Sequence, residues 1–506
     1  MRIFKILKVV FCCVLIASCS FSPPDTPAPS SAQPKQLERH EYLALMHLEK
    51  NHEVSPEKLK ETVVNFLASN AATRSAGSPA SAITDVEKFT LDFTMNDFEN
   101  SFSSDESRKW TDVAHEASKI PFYLFTINNP AEHTSGYILT CADIRFPQIL
   151  VAVENGSYND PEHPFTADFQ RYFSNYIFGS MEIYNSRSDA DIAAAVEKLN
   201  TIQGMQQETP RSITQDIFPY HPTPLVKTKW HDGASPYRDV INSVYYYAWN
   251  SWWLSNYGVP LPSGLKLRVG CVATAVGQIM AYNQYPSGAK STIVSKHPSN
   301  NMWYVNSTMF VDPYDLYGNV RSFYTISYDW PVITSVQNAA SLYYVNNDYE
   351  YMLQVGVLLF EIASYAAMEY GVDGGVSYAY LEGAFDAFGE MGYFTPYCGD
   401  YRSDFIMMSI EDSKPVYTQG FGHAFLVDNY GTLYTYLNEP GQPNRPYMNY
   451  AVHLNLGWGG DGDGWYASDF FYVYNLPAGP VYTPGEEPPP PPYWSPEYTC
   501  RIIIAY

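Results

Sequence analysis

Basic residues are scarce in this 506-residue chain. Lysine and arginine together number 30 against 53 aspartate and glutamate residues, so the formal net charge is −23. Phosphate backbones and anionic lipid surfaces are bound by clustered lysine and arginine, which argues against a nucleic-acid-binding protein and against docking on such a membrane surface. Charged residues make up only 16% of the chain and aromatic residues also 16%, a composition that argues against broad disorder.

Cysteine is also rare. The chain has seven cysteines, and four of them lie beyond the first 19 residues: Cys141, Cys271, Cys398 and Cys500. Four cysteines in so long a chain are too few for a disulfide scaffold. Cys398 and Cys500 are candidates for a pair in an exported protein, and nothing in the sequence tests this. Long apolar runs are missing as well, so no segment beyond the N-terminus is predicted to span a membrane.

Residues 1–18 have the pattern of an export signal. Three basic residues precede an apolar run over residues 9–17, which is too short to cross a bilayer, and small residues then lead to Cys19. We expect a lipoprotein signal peptide, after whose removal Cys19 is the lipid-anchored first residue. A plain signal peptide with an incidental cysteine is the alternative. The predicted location is the outer membrane or the cell surface, with secretion after processing as a further outcome.

Composition shifts divide the rest of the chain. Residues 19–35 are rich in proline and serine and predict an extended tether. Residues 36–205 mix helical periodicity with strand-like apolar runs, which predicts a small α+β domain. Four prolines interrupt the pattern over residues 206–229 and mark a boundary or processing segment. Residues 230–506 form a second, larger region, in which the proline-rich stretch at 485–496 predicts a loop.

Cys271 is a candidate nucleophile. It stands near the start of VGCVATAVGQIMAYNQYP, where apolar residues recur at helical spacing after the cysteine, between Gly270 and Pro286. A helix N-terminus offers unsatisfied N–H groups and a partial positive charge, and both favour the thiolate, which is the nucleophilic form. A lone cysteine is more often a small buried apolar residue, so position alone leaves both roles open.

A candidate general base, His423, begins the alternating pattern GHAFLVDNYG, which predicts a strand pair with a turn at residues 429–431. A strand-borne histidine that faces a helix-borne cysteine is the arrangement that activates a thiol. Asn455 and Trp458 follow in HLNLGWGG. An asparagine can fix the imidazole tautomer, and a tryptophan can shield that hydrogen bond from water. Taken singly, each of these residues is equally consistent with a structural role.

The acidic residues that follow are not predicted to bind a metal. Asp461 and Asp463 stand in the sequence DGDG, which lacks the rest of an EF-hand pattern. We predict a plain turn there and a structural role for His453. The sequence therefore predicts no metal and no other cofactor.

In this order and spacing, GCVATAVGQIMAYNQYP, GHAFLVDNYG and HLNLGWGG resemble the streptopain family of papain-like cysteine proteases. The segments FYLFTINN and GYILTCADIRFPQILVAVENGSY resemble that family's N-terminal propeptide, so the resemblance covers about residues 55–506. It implies an α+β fold: a papain-like protease domain of two lobes, preceded by a small α+β propeptide domain that blocks the cleft until it is cleaved off.

The same resemblance implies a role for each motif residue. Cys271 is expected to be the nucleophile, and His423 the general base and later the acid. Asn455 is expected to orient His423, and Trp458 to cover that contact. The backbone N–H of Cys271 is expected to supply one oxyanion donor.

The chain departs from the family at the oxyanion hole. Where the family has glutamine in W-x-Q-G-x-P-Y, this chain has WHDGASPY, with Asp232 at the glutamine position. An ionised carboxylate repels a developing oxyanion, and the loss of one donor alone costs about 3 kcal/mol of barrier. His231 as a substitute donor and a protonated Asp232 are the two ways in which the site can still function. Leu456, where the family has tryptophan, is expected to affect packing rather than chemistry.

We therefore predict an exported cysteine endopeptidase, made as a zymogen, that hydrolyses extracellular proteins. Its expected partners are protein or peptide substrates, its own propeptide as an intramolecular inhibitor and the lipid at Cys19, with no nucleic acid. Asp232 motivates the main alternative, a catalytically weak or inactive binding protein on the same fold. A surface module that binds through tyrosine and tryptophan is a third hypothesis. The combination of Cys271, His423 and Asn455 favours the protease.

Overall fold

The described part of the chain covers both predicted regions. A computed structural model describes residues 37–69, 82–91, 93, 104–129, 134–159, 165–205, 217–233, 242–243, 267–288, 294–296, 303–305, 309–311, 320–322, 326–335, 349–370, 377–420, 422–437, 445–471 and 500–506. The predicted signal peptide, Cys19, the tether, the first half of the processing segment and the proline-rich loop lie outside these residues. Among the described helices, none has the length and apolar character needed to cross a bilayer.

Helices occur in both regions. They are α1 (Arg39–Met46), α2 (Pro56–Ser69), α3 (Ser104–Ala117), α4 (Phe165–Asn185), α5 (Asp189–Met205), α6 (Cys271–Asn283), α7 (Trp330–Ser335), α8 (Tyr349–Tyr365), α9 (Leu381–Glu390) and α10 (Ser403–Glu411). The strands are β1 (Ile83–Phe89), β2 (Phe122–Asn129), β3 (Thr134–Cys141), β4 (Ile149–Val153), β5 (Ile217–Pro219), β6 (Val294–Lys296), β7 (Trp303–Val305), β8 (Met309–Val311), β9 (Val320–Ser322), β10 (Tyr397–Asp400), β11 (Val416–Gly420), β12 (His423–Leu437), β13 (Arg445–Asn455), β14 (Gly464–Ala467) and β15 (Arg501–Ile504).

Strands of both regions form one antiparallel sheet. Its order is β1-β2-β3-β4-β14-β13-β12-β11-β15-β10, with β5 paired to β12. The two regions meet where β4 pairs with β14, so that Val151 lies opposite Tyr466 and Val153 opposite Gly464. An antiparallel sheet with helices packed against it belongs to the α+β class, which confirms the predicted fold class.

Helix α6 is enclosed by other elements because its sequence is apolar on nearly every side. All residues from Cys271 to Ala281 are buried, as expected of a helix in the interior of a domain. Its core also contains residues of α8, α9, β11 and β12. The helix is followed by Gln284 in the left-handed conformation, and Pro286 comes shortly after. The helix predicted between Gly270 and Pro286 is therefore present.

Strands β12 and β13 form the longest pair in the sheet. The predicted turn at residues 429–431 is wrong, because β12 continues to Leu437 and contains only an irregularity between Val427 and Asn429. The buried Asn429 is tolerated in β12 because its side-chain amide is hydrogen-bonded. It accepts from the His221 N–H at 3.2 Å and donates to the His221 carbonyl at 2.9 Å. His221 follows β5 and is 208 residues away from Asn429 in the sequence.

Two glycines of α9 provide a test of the helix packing in this core. A Cβ on Gly383 would lie 2.1 Å from the Ala366 carbonyl oxygen, whereas a Cβ on Gly389 would meet nothing within 4 Å. We expect Gly383→Ala to lower the free energy of unfolding by about 1–3 kcal/mol because backbone must move. The matched control Gly389→Ala is expected to raise it by up to about 1 kcal/mol, since alanine is the better helix former. Urea titration of both variants measures the difference, and equal midpoints would refute the tight α8–α9 contact.

Candidate active site

Cys271 is the first residue of α6 and lies at the edge of the core. Its side chain is buried, with only 7% of the residue exposed. Gly270 precedes it with a φ of 88°, and a Cβ there would lie 2.8 Å from the Met368 sulfur, so only glycine fits. Backbone N–H groups of Ala424, Val272 and Cys271 itself are directed at the thiol. The sulfur is thereby placed next to the strand that begins with His423.

The surroundings of Cys271 favour the neutral thiol in the intact chain. Burial raises the pKa of Cys271, the charge of Asp232 raises it further, and the backbone N–H groups only partly oppose these effects, so that the pKa reaches about 12. A thiol with this pKa is protonated at neutral pH. Forming the nucleophile therefore requires a nearby proton acceptor.

His423 begins β12 and is buried, with 5% of the residue exposed. Its Nε2 lies 2.9 Å from the carbonyl oxygen of Leu456. Because a carbonyl oxygen only accepts, Nε2 carries a proton, and Nδ1 is the basic nitrogen of the neutral ring. The imidazole stacks on the Trp458 indole, with ring centroids 4.0 Å apart and planes inclined by 17°. Trp458 thus covers one face of the His423 ring.

Asn455 ends β13 and reaches His423 through one peptide group. The side-chain oxygen of Asn455 accepts from the Gly457 N–H at 3.2 Å. The carbonyl of that same Leu456–Gly457 peptide accepts from His423. A hydrogen bond on the N–H side of a peptide polarises its carbonyl, so Asn455 strengthens the acceptor that orients the ring. The sequence predicts a side-chain acceptor here, and the acceptor seen at Nε2 is a backbone carbonyl.

Gln278 is a residue of the site that sequence reasoning missed. It is fully buried on α6, and its amide N–H donates to the Asn455 oxygen at 3.1 Å. Its own oxygen accepts from the Trp230 N–H and the Thr228 hydroxyl, each at 3.3 Å. The Asn455 amide in turn donates to the Thr228 carbonyl at 2.9 Å. A glutamine in an otherwise apolar helix is the signal that could have identified it.

Asp232, predicted at the oxyanion hole, lies close enough to Cys271 for its charge to act on the thiol, and His231 contacts Asp232. The backbone of Asp232 is fixed, because its N–H donates to the Gly457 carbonyl at 3.0 Å and its carbonyl accepts from the Gly270 N–H at 3.2 Å. The His231 Nδ1 lies 3.4 Å from the Asp232 carboxylate and accepts from the Gly233 N–H at 3.0 Å. Nδ1 therefore holds a lone pair, and only Nε2 of His231 is available as a neutral donor.

Known proteins resemble this chain across the site. The family model for the Peptidase C10 family matches residues 245–466, which contain all four predicted catalytic residues. Streptopain from Streptococcus pyogenes is 24% identical over 370 residues, or 70% of this chain and 75% of streptopain. The thiol protease/hemagglutinin PrtT of Porphyromonas gingivalis is 23% identical over 412 residues, or 75% of this chain and 40% of that protein.

Two solved structures also show some similarity to this chain. A prointerpain A fragment from Prevotella intermedia covers 83% of this chain and 98% of its own, with 18% identity and a TM-score of 0.42. Active interpain A from the same organism covers 56% of this chain and 93% of its own, with 21% identity and a TM-score of 0.32.

The fold and the sequence matches together define a cysteine peptidase. The Peptidase C10 match over residues 245–466, together with the streptopain and PrtT matches, supports the streptopain family that the motifs predict. The match to streptopain is longer than the C-terminal region alone, since 370 residues are aligned, and the chain is the zymogen form of such a protease. The predicted family and the predicted enzyme class are confirmed.

Proposed function

We propose that this protein is an exported cysteine endopeptidase in which Cys271 is the nucleophile and His423 its general base. One observation carries the proposal. The Cys271 thiol receives backbone N–H groups from α6 and from Ala424, and the histidine next to Ala424 has its Nε2 proton held by the Leu456 carbonyl. That hydrogen bond leaves Nδ1 as the nitrogen that can take the thiol proton.

The reaction follows from these roles. The thiol proton moves to Nδ1 of His423 as the sulfur attacks the peptide carbonyl carbon. The tetrahedral intermediate collapses to a thioester on Cys271, and His423 returns the proton to the leaving amine. Water then attacks the thioester, again with His423 as base, and releases the acid product. The Leu456 carbonyl and the Trp458 ring hold the imidazole in one orientation during both proton transfers.

We further propose that the N-terminal region is the inhibitory propeptide. Its strand β4 continues the sheet of the C-terminal region through β14, and the Asn155 carbonyl accepts from the Gly462 N–H at 2.8 Å. Residues 217–229 of the predicted processing segment are bound to the C-terminal region, with β5 paired to β12. We therefore propose that cleavage falls in the part of the processing segment before residue 217. Export and lipid attachment at Cys19 are proposals that rest on the sequence pattern alone.

A second candidate function is a catalytically weak or inactive binding protein. The observation that favours it is the Asp232 carboxylate beside the thiol, which raises the pKa of Cys271 and provides a negative charge where the oxyanion forms. The two candidates differ in whether the intact chain can cleave itself.

An activation assay separates the two candidates. We would express the chain without residues 1–35, incubate it with a reducing agent and follow its size on a gel, with Cys271→Ala as the control. The protease proposal predicts that the wild type loses its N-terminal region and cleaves casein, while the control stays intact. If the wild type remains silent even after an added protease has removed the N-terminal region, the binding-protein function is correct instead.

A further inference from the structure

Both backbone polar groups of Leu456 form hydrogen bonds to side chains. Its carbonyl accepts from Nε2 of His423 at 2.9 Å, and its N–H donates to the Asp463 carboxylate at 2.8 Å. Leu456 is fully buried and Asp463 is 8% exposed, so both hydrogen bonds are shielded from water. Hydrogen bonds to a buried charged group are among the stronger ones in proteins.

The loop between these residues has little stiffness of its own. Residues 457–463 contain four glycines with positive φ: Gly457 at 74°, Gly459 at 72°, Gly460 at 94° and Gly462 at 75°. Glycine loses more conformational freedom on folding than other residues, so such a loop defines the position of Leu456 only if it is anchored. The Asp463 carboxylate is one such anchor, and it acts on the residue that carries the His423 acceptor.

We propose that Asp463 is a positioning residue for His423. It fixes Leu456 so that the Leu456 carbonyl meets Nε2 of the imidazole, and its negative charge stabilises the imidazolium that forms when Cys271 loses its proton. This inference rests on the proposed function of Cys271 and His423. The structure has the turn that the sequence DGDG predicts, and the proposal adds a role for the carboxylate that follows it.

Other charged groups face Asp463. Burial raises the pKa of Asp463 to about 6, the Leu456 N–H lowers it, His453 and Lys229 lower it further, and Asp428 raises it. His453 in turn donates to Asp428, whose oxygen lies 2.7 Å from Nδ1, and Glu154 of the N-terminal region also faces this histidine. With a pKa of about 6, the Asp463 carboxylate carries its charge at neutral pH and loses it in mildly acidic solution.

Three variants of the full-length protein test the proposal. Asp463→Asn keeps an oxygen that can accept from Leu456 and removes the charge, whereas Asp463→Ala removes both. Asp461→Asn removes a carboxylate from the same loop and is the matched control. The readout is the pH dependence of kcat/KM on a peptide substrate after activation under reducing conditions, with kcat and KM measured at the optimum.

Removal of a nearby negative charge lowers the pKa of an imidazolium, so the reactive thiolate–imidazolium pair should exist over a narrower pH range. We expect the alkaline limb of the profile to move down by about one pH unit in Asp463→Asn. In Asp463→Ala, kcat should fall more than about tenfold, with KM within about twofold, because the ring loses its orientation. Profiles that match the Asp461→Asn control in both variants would overturn the proposal.

One measurement needs no Asp463 variant and no peptidase activity. In full-length Cys271→Ala, the His423 ring signals are followed by NMR as the pH is lowered. A second inflection near the Asp463 titration supports the proposal, and a single inflection overturns it. In the activated wild-type protein, a Cys271 that reacts with iodoacetamide no faster than Cys398 would defeat the proposed function instead, and the NMR result would still decide the influence of Asp463 on His423.

Discussion

Replacement of His423 with alanine is expected to lower kcat/KM by about 10³-fold or more, because the thiol then has no base to accept its proton. The intact chain holds Cys271 in a buried site beside Asp232, where its pKa is raised to about 12. Hydroxide and buffer are poor substitutes for a base that is held within the site. The loss should appear in kcat and leave KM nearly unchanged, since His423 is proposed to act on the proton rather than on substrate binding.

His221→Ala is the matched control for this change. Nε2 of His221 also contacts a backbone carbonyl, that of Ile410 at 2.8 Å, but His221 lies beside β5 and not beside the thiol. We expect this control to keep kcat/KM within about twofold of the wild type. More than a tenth of the wild-type kcat/KM in His423→Ala would mean that another group is the base.

Asp232→Gln is expected to raise kcat/KM by about 10²-fold, because it removes a charge that opposes the oxyanion and supplies a donor in its place. The same change should speed alkylation of Cys271 at neutral pH, since the Asp232 charge is the second largest cause of the raised thiol pKa. Asp232→Asn serves as the control, because asparagine removes the charge but its side chain is shorter than that of glutamine. Faster alkylation of Cys271 in both variants would show the effect of removing the charge. A rise in kcat/KM in Asp232→Gln alone would show the effect of the hydrogen bond that glutamine donates to the oxyanion.

Decreased activity in Asp232→Gln would point to the opposite role. Asp232 would then work as a protonated donor, or through the adjacent His231, and the family's glutamine would not be the better residue in this chain. The backbone of Asp232 is fixed by Gly457 and Gly270, so the variant is expected to keep the position of the side chain.

Local patterns in the sequence predicted the elements that carry the site. The apolar spacing after Cys271 predicted α6, because a helix buried on all sides must be apolar along its length. The alternation after His423 places this residue at the start of a strand, where the structure has it. These features depend on neighbours within one element, which a sequence pattern records.

Features that depend on distant or backbone partners were not predictable in the same way. The sequence predicts a turn at Asn429, since asparagine favours turns, but hydrogen bonds to His221 keep Asn429 inside β12. The Nε2 proton of His423 is accepted by the backbone carbonyl of Leu456. Every residue has such a carbonyl. No side-chain pattern identifies which carbonyl is used, so the roles of Leu456 and Asp463 required the fold.

The most direct test of the central claim is to trap the covalent intermediate on Cys271. The full-length protein, after activation under reducing conditions, is mixed with a peptidyl p-nitrophenyl ester, quenched in acid within seconds and examined by peptide mass spectrometry. Our account predicts an acyl group on Cys271, bound as a thioester, and no acyl group and no ester cleavage above background in Cys271→Ala. Ester cleavage that persists in Cys271→Ala, with no adduct on Cys271 of the wild type, would contradict it.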